Sequence, residues 1–148
     1  MESDILWRPE FDTPEDGYRA YRNLWLRIAK NIAQSGRPVV LVGSAVPEQF
    51  EVCPERRYFS EIHYLALVCA DEILVARLRA RPAWRRSGTA EVLSTMTAFN
   101  QWLRSHAEAT SPPMSLLDTS HLTLEQSVSW THTWIQQRWP PESILEVK

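Results

Sequence analysis

Glycine is scarce in this chain, with only Gly17, Gly36, Gly43 and Gly88 among 148 residues. Four widely separated glycines exclude a G-x-x-x-x-G-K-[ST] loop, in which backbone amides cradle phosphates, a lysine bridges them and a hydroxyl binds magnesium. Lysine is rarer still: Lys30 and Lys148 are the only two, and neither follows a glycine. Cys53 and Cys69 are the only cysteines. Two thiols sixteen residues apart make no disulfide framework and fit a reducing compartment. No apolar run approaches the eighteen residues of a membrane span, and Met1-Glu2-Ser3-Asp4 is acidic where a secretory leader is basic. The expected compartment is the cytoplasm. Net charge is −2 with no basic block, which predicts neither a nucleic-acid nor a membrane partner, since both demand a concentrated positive field.

What is present is an ordinary globular mixture, 44% apolar and 23% charged, long enough for one domain with a core. We expect that domain over residues 1–139 and a tail over 140–148. Fourteen of the sixteen basic residues are arginine. Arginine forks bind phosphate and carboxylate oxygens through paired N–H groups, so the bias fits an anion site; genomic base composition explains it equally well.

Periodicity divides the chain into strands and helices. Ile5-Leu6-Trp7 reads as the exposed end of a short strand. Thr13-Pro14-Glu15-Asp16 supplies a hydroxyl cap, an N1 proline and first-turn acids. Tyr18, Tyr21, Leu24, Trp25, Ile28 and Ile32 follow at helical spacing until Ser35-Gly36. Pro38-Val39-Val40-Leu41-Val42-Gly43 and Ile62 to Cys69 are short continuous apolar runs, the pattern of strands buried on both faces. A short helix is expected at Pro47–Phe50. A longer one over Asp71–Arg81 carries Ile73, Leu74 and Leu78, and another over 89–107 carries Val92, Leu93, Met96, Phe99 and Leu103. Ser115-Leu116-Leu117-Asp118 is a brief strand. Thr123-Leu124-Glu125-Gln126 is a capping box opening a last helix with Leu124, Val128, Thr131 and Ile135 on one face. Apolar strands alternating with helices predict an α/β fold, a three-layer parallel sheet flanked by helices. Ligands bind such sheets at the carboxyl ends of the strands, here Asp4, Gly43-Ser44, Cys69-Ala70-Asp71 and Asp118-Thr119.

The order and spacing of four stretches resemble the nucleoside, gluconate and shikimate kinase branch of the P-loop proteins and their AAA-type ATPase relatives. They are Glu2 to Trp7, Arg37 to Ser44, Leu65 through Arg85 with Phe99-Asn100-Gln101-Trp102-Leu103 behind, and Leu116 to Ser120. The resemblance implies a P-loop kinase-like fold missing its first strand, phosphate loop and first helix, about thirty to forty residues, through a misplaced start or a true truncation. It also implies a role for particular residues. Asp4 matches the acid that orients the acceptor hydroxyl or joins the metal shell. Arg19 and Arg22 match a wall of the acceptor pocket, with Gly43 and Ser44 at a strand end. Residues 82–88 match the lid, for which Arg81, Arg85 and Arg77, in that order, are candidates to steady the transferring phosphate. Asp118-Thr119 matches the loop along the adenine ring. For each, a solvated surface residue or strand cap is the simpler alternative.

The expected parent activity is ATP-dependent phosphoryl transfer to a small hydroxyl-bearing acceptor, a nucleoside among the candidates, with ATP and Mg2+ as the family's cofactors. Without the loop, neither is expected to bind this chain tightly, and turnover is expected to be negligible. The alternative is a non-catalytic ligand-binding or self-associating α/β module, since a parallel sheet lacking its central strand exposes an edge. No metal site is expected, because His63, His106, His121 and His132 lack metal spacing.

Overall fold

A computed structural model describes residues 3–139, with side chains from Ile5 onward. The fold is α/β, with five helices and a small parallel sheet. The helices are α1 (Arg19–Ala33), α2 (Pro47–Glu51), α3 (Asp71–Arg79), α4 (Ala90–His106) and α5 (Leu124–Arg138). The strands are β1 (Tyr64–Val68) and β2 (Met114–Asp118). Two compact units emerge, one of residues 1–63 with 134–148, the other of residues 64–133.

In the second unit β1 and β2 run parallel, from Tyr64 opposite Met114 to Val68 opposite Asp118. A parallel pair requires a long crossover, which here carries α3 and α4. Ala66, Val68 and Met114 pack with Leu103 and Ala107, and Tyr64, Phe99 and Leu116 flank them. Of the expected α4 stripe, Leu103 and Phe99 therefore fold onto one sheet face, whereas Val92, Leu93 and Met96 are only half-buried and stand outside that cluster. Thr89 Oγ1 accepts from the Val92 amide to start α4. On α3 only Leu78 of the three expected apolar residues is buried. Ser87, also buried, donates to the Leu78 carbonyl and ties the following turn back to α3.

The first unit is built on α1, whose Tyr21, Arg22, Trp25, Leu26 and Ala29 are buried. That face is rotated from the expected one: Leu24 and Ile28 are only half-buried. The helix also starts later than Thr13-Pro14 suggested. Pro14–Asp16 forms a 3-10 turn, Gly17 and Tyr18 both take left-handed backbone, and the Asp16 carboxylate caps the Arg19 amide at 3.1 Å. Trp7, Phe11, Tyr18 and Tyr21 form an aromatic cluster. Glu55, in the 3-10 turn Pro54–Tyr58, ion-pairs with Lys30 at 3.0 Å and Arg27 at 3.2 Å, and its amide donates to Asn23.

Three expectations are corrected. Ile5-Leu6-Trp7 is not a strand end; Ser3–Leu6 is a 3-10 turn. Pro38–Gly43 is not a buried strand. Only Val42 forms a bridge, and Val40 and Val42 are 49% and 60% exposed. An apolar run becomes a strand only where a neighbour supplies ladder hydrogen bonds, and among the described residues the sheet has two strands. The stripe of α5 is not a buried face, since Leu124 is 80% and Val128 59% exposed. The capping box holds regardless, with Thr123 and Gln126 exchanging bonds of 2.8 and 3.1 Å. Among the described residues no helix is long and apolar enough to cross a membrane.

Candidate functional site

The densest polar network of the second unit lies just past the carboxyl ends of β1 and β2. Asn100 is its centre. It occupies a buried position in mid-α4, where asparagine is a poor helix former. Its side-chain amide treats Cys69 as a neighbouring strand would. The oxygen accepts from the Cys69 amide at 3.2 Å, and Nδ2 donates to the Cys69 carbonyl at 2.9 Å. Nδ2 also donates to Asp71 Oδ1 at 2.8 Å, and Gln101 Nε2 donates to Asp71 Oδ2. One turn later Arg104 reaches the same Cys69 carbonyl at 3.4 Å and Asp118 at 3.8 Å.

The loop after β2 is held from the other side. Arg77 of α3 closes as a fork on Thr119, with Nη1 on Oγ1 at 2.8 Å and Nη2 on the carbonyl at 2.9 Å. The Thr119 amide donates to the Val68 carbonyl at 2.7 Å, extending the ladder one residue past β2. Ser120 Oγ accepts from the Ala70 amide and donates to Asp118. These Ser120 bonds, first the hydroxyl and then the backbone amide, hold the Asp118 carboxyl below its ordinary range, with Arg104 and His121 adding to the effect. Burial pushes the Cys69 thiol up, and Arg77 and Arg104 only partly offset it. An inert, protonated thiol therefore sits beside an ionised aspartate.

The arrangement presents two guanidinium groups, two carboxylates and a helix start around one strand-end loop. The half-exposed Arg104 and Asp118 are its least committed charges. Such a surface can take up a polar ligand by exchanging long internal contacts for shorter ones. Among the described residues no three His, Cys, Asp or Glu side chains converge as a metal-holding group.

Of the residues singled out from sequence, Arg77, Asp118 and Thr119 meet at this point. Arg81 and Arg85 lie on the exposed turn after α3, Arg85 with its guanidinium 5.0 Å from the Trp84 ring centre. In the first unit Arg22 Nη2 donates to the Ser44 carbonyl at 2.6 Å, so two expected pocket residues meet there. Yet Arg22 is buried, between the rings of Tyr18, Tyr21 and Phe50 at 5.6 to 5.8 Å. Arg19 is exposed instead of sharing that face, and Gly43 is exposed as well. The side chain of Asp4 lies outside the described residues.

Sequence reasoning placed Asp71 at a strand end where ligands bind, and Asn100, Gln101 and Ser120 within the stretches that carry the resemblance, but gave none of them, nor Arg104, a specific role. The available signal was Asn100, one turn past Met96 on the apolar face of α4, since buried positions rarely tolerate a polar side chain without a partner. No protein-family model matches this sequence, and neither a curated protein nor a solved structure is similar to it.

Proposed function

We propose that this chain carries the acceptor and lid parts of a P-loop kinase-like, three-layer domain, derived from an ATP-dependent small-molecule kinase. On this reading the strand-end network is a nucleotide-side surface, and the 148 residues do not catalyse phosphoryl transfer by themselves. The observation that carries the reading is the Arg77 fork on Thr119. The three residues that the resemblance assigned to the nucleotide come together at the carboxyl ends of adjacent parallel strands, where such sheets bind ligands. Asp4 would orient an acceptor hydroxyl, Arg81 and Arg85 on the 82–88 lid would steady phosphate oxygens, and Arg19, Arg22, Gly43 and Ser44 would border the acceptor.

The chemistry such a transfer needs is positioning and neutralisation of phosphate charge. Bound ATP and Mg2+ would be held chiefly by a cradle of amides and an ammonium, which is not among these residues. The chain's own groups supply the base-side loop and the exposed guanidinium groups of the turn after α3. A second reading, a non-catalytic ligand-binding module, is favoured by the fact that Asn100 and Arg77 are already committed to internal hydrogen bonds.

Titration with AMP, followed by backbone amide NMR, tests the nucleotide-side assignment. Shifts centred on Asp118, Thr119 and Ser120 at millimolar AMP, absent in Arg77→Ala, are expected. Saturating AMP with those amides unmoved would overturn it.

A further inference from the structure

Five of the chain's fourteen arginines, Arg77, Arg79, Arg81, Arg85 and Arg86, fall within ten residues, and no acid lies between Glu72 and Glu91. All five are exposed. Among the described residues no ion pair joins Arg79, Arg81 or Arg86 to a carboxylate. At the centre of the turn Trp84 is 76% exposed, with Arg85 against its ring. The turn is nevertheless a built platform. A 3-10 segment spans Ala83–Arg85, Arg86 takes left-handed backbone, and buried Ser87 anchors the segment to Leu78. An exposed tryptophan with an arginine against its ring, in an arginine-rich turn, has the composition of an interface anchor.

The complementary charge is on the chain itself. Six of its eighteen acids, Glu2, Asp4, Glu10, Asp12, Glu15 and Asp16, lie in the first sixteen residues beside a single arginine, Arg8. Glu10, Asp12 and Glu15 are exposed and, among the described residues, take part in no ion pair. Two opposite fields, with Arg79, Arg81 and Arg86 in one and Glu10, Asp12 and Glu15 in the other taking part in no ion pair among the described residues, can attract across molecules. A long polyanion is a poorer partner, because the molecule's net charge of −2 opposes it at distance. A second copy brings the matching acidic surface with it.

We propose that the arginine turn Arg77–Arg86 docks the acidic surface Glu10–Asp16 of a second copy of this chain, with Trp84 as the apolar anchor. Each copy carries both surfaces, so the contact either closes reciprocally in a two-fold dimer or runs head to tail into a ring or an extended chain, according to the rotation between copies. Salt weakens it, because the Debye length falls from about 30 Å at 0.01 M to about 3 Å at 1 M.

Sedimentation equilibrium at about 0.01 M and about 1 M salt tests the proposal with two charge-reversed proteins. One carries Arg79→Glu and Arg86→Glu; the other carries Glu10→Lys, Asp12→Lys and Glu15→Lys. The expected result is association of the wild-type chain at low salt and single chains at high salt. Each reversed protein alone, folded by circular dichroism, should be a single chain at low salt, and an equimolar mixture should associate again. Trp84→Ala should weaken wild-type association by about tenfold or more. Wild-type single chains at low salt would overturn the proposal, as would reversed proteins that do not complement each other. Association that persists in the acid-reversed protein would also overturn it.

Discussion

Asn100 shows how much one side chain can hold at this site. Its amide serves both backbone groups of Cys69 and the Asp71 carboxylate, and truncation leaves the buried Cys69 amide without that partner, the Cys69 carbonyl with only the long contact to Arg104 and Asp71 with only Gln101. Asn100→Ala should therefore lower stability by about 1–3 kcal/mol in urea melts, with loss of ordered amide signals at Cys69 and Asp71. A stability unchanged within error would show that water replaces the side chain. Glu55 offers a second test. The Lys30 hydrogen bond, followed by that of Arg27, holds its carboxyl below the ordinary range. A group whose folded pKa is depressed stabilises above its unfolded value, about 4.3 for glutamate, and that contribution is lost as pH falls through the folded value. The wild-type melting temperature should accordingly fall more steeply below about pH 4 than that of Glu55→Gln. Parallel curves would contradict this. Asp16 and Asp118, whose pKa values are also lowered, are common to both proteins and cancel. At this scale the sequence was partly legible. Asp118 and Thr119 were singled out at a strand end and Arg77 through the resemblance to a lid, and the structure brings Arg77 onto Thr119. Asn100 was not singled out, because its partners are backbone groups thirty-one residues away and leave no mark in local pattern.

Most elements whose signals are local were read well, the start at Thr13-Pro14 excepted, where a 3-10 turn precedes α1. The helix at Pro47, the capping box at Thr123 and the stop at Ser35-Gly36 rest on proline, hydroxyl and glycine chemistry that acts within one turn. Strands depend on a distant partner. Tyr64–Val68 and Pro38–Gly43 are alike in composition, yet only the first meets a parallel neighbour along its length. The helical stripes divide the same way. The C-terminal part of the α4 stripe, Phe99 and Leu103, found a sheet face, whereas the α5 stripe stays exposed at Leu124 and Val128. Leu103 is the α4 side chain most deeply committed to that face. Leu103→Ala should cost about 2–5 kcal/mol through lost transfer energy and the cavity left behind. A cost below 1 kcal/mol, a threshold roughly half the lower end of that range, would mean that α4 and the sheet collapse around the gap or do not pack as described.

At the scale of the molecule, the α/β character was legible from alternating apolar runs and helical stripes, and the parallel pair with its helical crossover follows from them. The division into two compact units was not, because no linker-like stretch marks the boundaries at 63/64 and 133/134. The functional account depends on one deficit, the lack of glycine and lysine in the arrangement that grips a triphosphate. Positioning and charge neutralisation supply nearly all of phosphoryl-transfer catalysis, so guanidinium groups on a turn do not replace that grip. The most direct test is steady-state Mg–ATP turnover by the purified chain with a panel of nucleosides and small polyols. The account predicts a rate indistinguishable from that without protein. Turnover near the 1–100 s⁻¹ typical of kinases, roughly the range for a complete site, would contradict it.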